Sequence, residues 1–141
     1  METEFTTVCL RLPVHMEKEA ASKAEAAGIM DRIYNERKEW WPYGWTPDCH
    51  ESVYVVKEAS TGKACGVVGW QEFNEGRRRI GSYSIGILPE YRGNGFAKEA
   101  VAKVVREKSA GVDEVRAYVV NGNEPSTRLA ESLGIHIERK F

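Results

Sequence analysis

Apolar side chains follow two different spacings along the chain, and the changes between them mark the predicted elements. Runs rich in β-branched and aromatic residues, bounded by glycine, proline or asparagine, predict strands. Apolar residues that recur every three or four positions predict helices. The predicted strands cover residues 5–12, 52–59, 64–73, 79–88, 114–120 and 135–141, and the predicted helices cover 16–27, 29–37, 97–105 and 123–133.

Gly28 separates the first two helical patterns. Because glycine weakens a helix interior, the first helix is expected to end or kink there. The second pattern stops before an aromatic segment in which Pro42, Gly44 and Pro47 predict a structured loop. The aromatic residues of that segment are Trp40, Trp41, Tyr43 and Trp45.

The resulting order, β-α-α-β-β-β-α-β-α-β, predicts an α/β fold with a mixed sheet flanked by helices. Short turns at 61–62 and 74–76 make the middle strands antiparallel neighbours. The later strands, which are connected by helices, should be parallel with right-handed crossovers. A functional site is expected where such a sheet opens.

Length and composition favour one domain over residues 1–141. The chain carries 20 Lys plus Arg against 21 Asp plus Glu, so nothing indicates a nucleic-acid or membrane partner. The acidic first residues and the lack of an apolar run near ~20 residues predict a soluble protein without a signal peptide. Cys9, Cys49 and Cys65 include no CxxC pair and are odd in number, which indicates a reducing cytoplasm.

The segment 84–98 joins a buried strand through a loop of small residues to an amphipathic helix. Backbone N–H groups at a helix N-terminus lack internal partners and carry the positive end of the helix dipole. Gly93 and Gly95 allow a bulky anion to approach, and Arg92 can add a charge-assisted bond. The spacing fits neither a Walker loop nor a dinucleotide fingerprint. Another phosphate-bearing ligand is therefore indicated, with a tight turn that binds nothing as the alternative.

The pattern RxxGxA at residues 92–97 resembles the [Q/R]xxGx[G/A] pyrophosphate loop of the GNAT family of N-acetyltransferases. A second pattern, NxxSxxLxxxLG at residues 123–134, is similar to that family's second signature. The resemblance covers most of the chain and is strongest from 82 to 134. It implies an enzyme that moves an acetyl group from acetyl-CoA to a primary amine of a small molecule or a protein.

Carried over position by position, the resemblance implies a cofactor site. Backbone groups of Ile85 and Ile87 would pair with the pantetheine arm and polarise the thioester carbonyl. Asn123 would bond the cofactor near its thioester end with support from Ser126, and a plain helix cap is the alternative for these two residues. The pyrophosphate would be held by Arg92, Gly93, Asn94, Gly95, Phe96, Ala97 and Lys98.

Transfer to an amine requires help from a base more than help from an acid. An alkyl amine with a pKa near ~10.4 costs roughly 4 kcal/mol to deprotonate at pH 7, whereas a thiol near ~8.5 leaves as thiolate for about 2 kcal/mol. Glu72, Tyr83 and Ser84 are the candidate bases, with a solvated strand-end charge as the alternative for Glu72. The family often has an acid tyrosine where this chain has Ala130, and Tyr118 or a water molecule could substitute.

In the resembling family, the segment after the second helix walls the acceptor pocket. This implies that Trp40, Trp41, Tyr43 and Trp45 contact the acceptor, with core packing as the alternative. The histidines, His15, His50 and His136, follow no metal-ligand spacing, so no metal is predicted.

Family members normally finish with two strands after the second signature, whereas seven residues follow Gly134 here. The last strand is therefore expected to pair across a homodimer, with blunting by its charged side chains as the alternative. The rival function is a non-catalytic acetyl-CoA sensor of the same fold. The acceptor amine and the length of the acyl chain stay open.

Overall fold

The computed structural model describes residues 14–36, 52–120 and 122–140. The strands are β1 (Val14–Lys18), β2 (Ser52–Glu58), β3 (Ala64–Glu75), β4 (Arg78–Ile87), β5 (Glu114–Val120) and β6 (His136–Lys140). The helices are α1 (Glu19–Glu36), α2 (Phe96–Lys108) and α3 (Glu124–Ser132). Short 3-10 turns at Pro89–Tyr91 and Ser109–Gly111 precede and follow α2.

The strands form one mixed sheet in the order β1-β2-β3-β4-β5-β6. The first four strands are antiparallel neighbours. β5 lies parallel to β4 and β6 lies parallel to β5, because a helix carries the chain back along the sheet before each of them. The predicted α/β class and mixed sheet flanked by helices are therefore confirmed.

Side chains alternate along the strands and give the sheet two core faces. The face that α2 and α3 cover, called the α2 face below, buries Tyr54, Val68, Trp70, Ile87, Ala117 and Val119. The opposite face, called the α1 face, buries Val53, Val55, Val67 and Leu88 against Ala26, Ile29, Met30 and Ile33. α1 packs mainly on β2 and β3, so β4 and β5 meet chiefly the other two helices.

α1 is one continuous helix, so the predicted break at Gly28 is wrong. Gly28 is exposed, and the apolar residues around it bury one side of the helix on the sheet, which offsets the ~1 kcal/mol that glycine costs in a helix. Residues 16–18, predicted as helical, belong to β1. The described order is thus β-α-β-β-β-α-β-α-β. The predicted strand 5–12 lies outside the described residues, and the other elements are present with ends shifted by a few residues.

A register shift between Val56 and Lys57 leaves Cys65 as an extra residue in β3. The resulting bulge turns its side chain into the core, where Sγ donates a weak hydrogen bond to the carbonyl of Val56 at 3.3 Å. Burial, with a smaller effect from the Glu58 charge, raises the pKa of the Cys65 thiol to about 11. Cys65 is therefore a packing group and not a nucleophile at neutral pH.

Candidate functional site

β4 and β5 pair over a short stretch and then part. Residues 80–82 lie opposite 114–116 in parallel register, and we call this junction the paired end. Residues 83–87 still pair with β3 on one side, but within the described residues no strand pairs with their other side. Some of their backbone N–H and C=O groups consequently face an opening, which we call the open end.

Charged side chains fasten the paired end. Arg116, whose side chain is 10% exposed, donates two hydrogen bonds to the Glu75 carboxylate at 2.7 and 2.8 Å. It donates two more to Glu114 at 2.8 and 3.3 Å, and Arg78 pairs with Glu114 at 2.9 Å. Hydrogen bonds from Arg116 lower the pKa of both glutamates. The cluster joins the end of β3 to the first residues of β4 and β5.

An indole ring fills the paired end on the α2 face. Trp70 is 1% exposed, and its ring covers Gly81, where a Cβ atom would collide with the ring carbons Cζ2 and Cη2. The indole Nε1 donates to one oxygen of Glu72 at 2.9 Å, and Arg79 Nε donates to the other at 3.2 Å. Gly81 is therefore required by packing, because any side chain there would displace the ring.

A cavity of about 760 Å³ lies at the open end, between β4, the loop that enters α2 and one side of α3. It brings together every predicted cofactor residue except Asn94. These residues are Ile85 and Ile87 on β4, Arg92, Gly93, Gly95, Phe96, Ala97 and Lys98 in the loop and first turn, and Asn123 and Ser126 at α3. Asn94 does not line the cavity, and its Nδ2 donates to the Tyr91 carbonyl at 3.0 Å.

Two glycines shape the loop that enters α2. Gly93 and Gly95 have φ angles of 83° and 77°, a left-handed conformation that costs other residues about 1–2 kcal/mol. Gly95 is also the N-cap of α2, and no side chain caps the helix there. The first N–H groups of α2 therefore end at the cavity, an arrangement that suits a phosphate.

Arg92 is held in place by two partners. Its Nε donates to the Ile87 carbonyl at 2.9 Å, and its guanidinium forms an ion pair with Glu36 at 2.5 Å. One turn earlier in α1, Arg32 pairs with Glu90 at 3.2 Å. Backbone hydrogen bonding at Glu90, together with Arg32, lowers the pKa of Glu90. The C-terminal half of α1 is thus tied to the segment that leads into the loop.

Asn123 is a helix cap that also lies at the cavity. It is the N-cap of α3, and its Oδ1 accepts a hydrogen bond from the Ser126 backbone N–H at 3.3 Å. Thr127 Oγ1 also donates to the Asn123 carbonyl at 3.1 Å. Asn123 and Ser126 both line the cavity as well. Capping α3 and lining the cavity are therefore compatible for Asn123, and the cap fixes its side chain at the cavity wall.

The four candidate catalytic residues do not form one cluster, and none of them lines the cavity. Glu72 and Tyr83 belong to the α2 face, as their register with Trp70 shows. Both oxygens of Glu72 accept hydrogen bonds, from Trp70 and Arg79, and its side chain is 18% exposed, so it is not the solvated strand-end charge of the alternative. Burial raises the pKa of Tyr83, so its phenol stays protonated at neutral pH.

Ser84 and Tyr118 project from the α1 face, because they alternate with residues that pack under α2 and α3. They stand on the two strands that part at the open end. The ring of Tyr118 packs against Phe73 with a centroid distance of 6.1 Å and an angle of 48°. Ser84 and Tyr118 therefore share a side of the sheet with each other but not with Glu72 and Tyr83.

The proposed acceptor residues Trp40, Trp41, Tyr43 and Trp45 lie outside the described residues. Within residues 14–36, 52–120 and 122–140, no three His, Cys, Asp or Glu side chains are grouped as a metal site would require. His136 is exposed and lies 3.0 Å from a carboxylate oxygen of Glu138.

α3 contributes a wall of the cavity that was not predicted from the sequence. Pro125, Arg128, Leu129 and Ser132 all line the cavity, together with Ile33, Gly86 and Tyr91. The α3 residues follow the spacing i, i+3, i+4 and i+7, which is one side of a helix. This spacing can be read from the sequence, and it could have predicted that these residues share one side of α3 next to Ser126.

The fold and the cavity define an α/β protein with a ligand site where two parallel strands part. A model of the family described as "Acetyltransferase (GNAT) domain" matches residues 8–136. The chain belongs to this acetyltransferase family. It is also 31% identical over 85 residues to the uncharacterized N-acetyltransferase YoaA of Bacillus subtilis (strain 168). That match covers 59% of this chain and 48% of the relative, so it spans about half of the relative's length.

Solved structures with the same fold include several named acetyltransferases. An N-acetyltransferase from Staphylococcus aureus Mu50 has a TM-score of 0.66 at 19% identity, covering 86% of this chain and 82% of that one. yncA from Salmonella typhimurium, determined with its cofactor acetyl-CoA, has a TM-score of 0.64 at 21% identity and coverages of 86% and 79%. The aminoglycoside acetyltransferase HMB0005, from an uncultured soil metagenomic sample, has a TM-score of 0.68 at 14% identity and coverages of 92% and 96%.

Proposed function

We propose that this chain is an N-acetyltransferase that moves an acetyl group from acetyl-CoA to a primary amine of a small molecule or a protein. The parting of β4 from β5 after Ser82 carries the proposal, because it opens a cavity that runs from strand backbone to a helix N-terminus. Family membership supports the reaction class. The acetyl-CoA in the yncA structure, which has the same fold, supports the donor.

The cofactor would lie with its pyrophosphate on the loop and its pantetheine arm along β4. Gly93, Gly95 and the first N–H groups of α2 would bind the pyrophosphate oxygens, and Lys98 would add a positive charge. Backbone groups of Ile85 and Ile87, which lack a strand partner on that side within the described residues, would pair with the amides of the arm. Asn123, fixed by its cap, would bond the cofactor near the thioester.

The reaction would proceed by direct attack in a ternary complex. The amine lone pair forms a bond to the thioester carbonyl carbon, and the bond from that carbon to sulfur then breaks. The sulfur leaves as the CoA thiolate, and the nitrogen gives its extra proton to water or to a base. A backbone N–H at the open end of β4 would stabilise the negative charge that develops on the carbonyl oxygen.

Two of the candidate bases, Glu72 and Tyr83, are poorly suited to deprotonate the amine at neutral pH. Glu72 is engaged by Trp70 and Arg79, and Tyr83 stays protonated because burial raises its pKa. We therefore expect kcat/KM to rise about tenfold per pH unit between about pH 7 and 9, as the free amine becomes available. A profile that is flat over this range at fixed acetyl-CoA concentration would show that the protein supplies a base of lower pKa.

Thiol release with a panel of primary amines tests the proposal. Wild-type protein and acetyl-CoA should release CoA only when an accepted amine is present, and mass spectrometry should find that amine acetylated. A protein that binds acetyl-CoA but acetylates no amine in a broad panel of small molecules and peptides would support the sensor alternative. Heat-inactivated protein controls for uncatalysed hydrolysis of the thioester.

We also propose that the protein acts in the cytoplasm as a homodimer. The buried, reduced Cys65 is compatible with a reducing compartment, and no helix of the described part could cross a membrane. β6 lies at an edge of the described sheet, where its outer backbone groups can pair with a second copy. Light scattering across a range of concentrations tests this, and a constant mass of 15.9 kDa would show a monomer.

A further inference from the structure

We propose that Arg128 recognises the 3′-phosphate of coenzyme A, so that the site prefers CoA over dephospho-CoA. The inference rests on the proposed function, since it deepens the cofactor site. Arg128 lines the cavity from α3, and the glycine loop lines it from the start of α2. None of the resemblances described above assigned it a role.

The charge of the cofactor requires more than the loop offers. Coenzyme A carries a pyrophosphate and, on the ribose, a separate phosphate monoester whose second pKa is about 6, so the ester holds nearly two charges at neutral pH. Among the residues that the structure describes, three cationic side chains line the cavity, Arg92, Lys98 and Arg128, and no acidic one does. These three cations therefore have to serve both the pyrophosphate and the phosphate monoester.

The loop side of the cavity accounts for the first two cations. Arg92 is already bonded to Glu36 and to the Ile87 carbonyl, so much of its charge is compensated. Lys98 stands in the first turn of α2, beside the N–H groups that would hold the pyrophosphate. Both are therefore placed for the pyrophosphate, and the described residues of the loop side offer no further cation to the phosphate monoester.

Arg128 is placed to serve the phosphate monoester. It is exposed at the cavity rim and lies five residues along α3 from Asn123, a rise of about 7.5 Å at 1.5 Å per residue. Since Asn123 bonds the cofactor near the thioester in the proposed function, we assign Arg128, which lies more than one helical turn away in the same cavity, to the nucleotide end. A guanidinium bonds two oxygens of a phosphate at once, which suits it to a terminal phosphate group.

Calorimetry with CoA and dephospho-CoA tests the inference on three proteins: wild type, Arg128→Gln and Arg106→Gln. Arg106 is an exposed arginine on α2 that does not line the cavity, so its variant is a matched control for lost surface charge. Wild-type protein should bind CoA about tenfold more tightly than dephospho-CoA. Arg128→Gln should lose about tenfold for CoA and less than twofold for dephospho-CoA, while Arg106→Gln should match wild type.

The other outcomes overturn the inference in distinguishable ways. Equal losses for both ligands would place Arg128 on the pyrophosphate, and an unchanged preference in Arg128→Gln would remove it from recognition. Failure of wild-type protein to bind either ligand would reject the proposed function itself. Binding with the expected preference but without acetylation of any amine would uphold Arg128 and leave the sensor alternative. Because Arg128 is exposed on a helix, its variant should melt within a few degrees of wild type.

Discussion

The two ends of β4 use different chemistry within ten residues. At the paired end, side chains dominate: Arg116 bonds two carboxylates, and the Trp70 ring fills the space above Gly81. At the open end, backbone and small residues dominate, because β5 pairs with residues 80–82 and, in the described part of the chain, no strand pairs with residues 83–87 on that side. The open end depends on the paired end, since two strands can part in a defined way only where their junction is fixed.

Loss of packing at the paired end should have the largest effect on stability. Trp70→Ala removes a nearly fully buried indole, and we expect the free energy of unfolding to fall by about 3–5 kcal/mol. Denaturant unfolding measures the change. Trp70→Phe keeps a ring over Gly81 and should lose clearly less. A loss below about 1 kcal/mol for Trp70→Ala would mean that the indole does not hold the junction.

A substitution at the open end should remove binding and spare the fold. Gly95→Glu puts a negative side chain at a left-handed N-cap position beside the proposed pyrophosphate site, and we expect CoA affinity to fall at least about 100-fold. Gly62→Glu is the control, because Gly62 also has a positive φ but lies in the turn between β2 and β3. If calorimetry gives equal CoA affinities for Gly95→Glu and wild type, the loop is not the phosphate site.

Acid should weaken the paired end selectively. The folded-state pKa values of Glu75 and Glu114 lie below the ordinary 4.5, so their contribution is present above that pH and is lost as the pH falls through the lowered values. Arg116→Gln removes the cause of the shift. The melting temperature of Arg116→Gln should therefore be several degrees below wild type near pH 6, and this gap should narrow toward about pH 3. A constant gap would assign the effect of Arg116 to packing alone.

A change remote from both ends should raise stability without altering binding. Gly28 is exposed in the middle of α1, and a Cβ atom there would meet nothing within 4 Å. Gly28→Ala should raise the free energy of unfolding by about 0.5–1 kcal/mol. CoA affinity should stay within about twofold, which would separate general stability from the geometry of the open end. A lower free energy of unfolding for Gly28→Ala than for wild type would indicate that the folded protein requires glycine at this position.

The local parts of the site could be predicted from the sequence, and the parts that depend on register could not. The glycine loop and the cap at Asn123 are set by neighbouring residues, so their sequence patterns predict local structures that the fold brings to one cavity. Glu72 and Tyr83 differ, because the side of the sheet that they face depends on strand pairing far along the chain. The prediction at Gly28 failed because glycine destabilises the helix by less than the burial of the neighbouring apolar residues stabilises it.

The ion pair between Arg92 and Glu36 has a consequence for how the two substrates influence each other. In the proposed function, a phosphate on the loop would compete with Glu36 for the Arg92 guanidinium, so cofactor binding and the position of the last turn of α1 would be thermodynamically coupled. The residues that follow Glu36 lead into the aromatic segment for which the family resemblance implies acceptor contacts. If bound cofactor changes the affinity for an acceptor that shifts this turn, then the bound acceptor must change the affinity for the cofactor by the same factor.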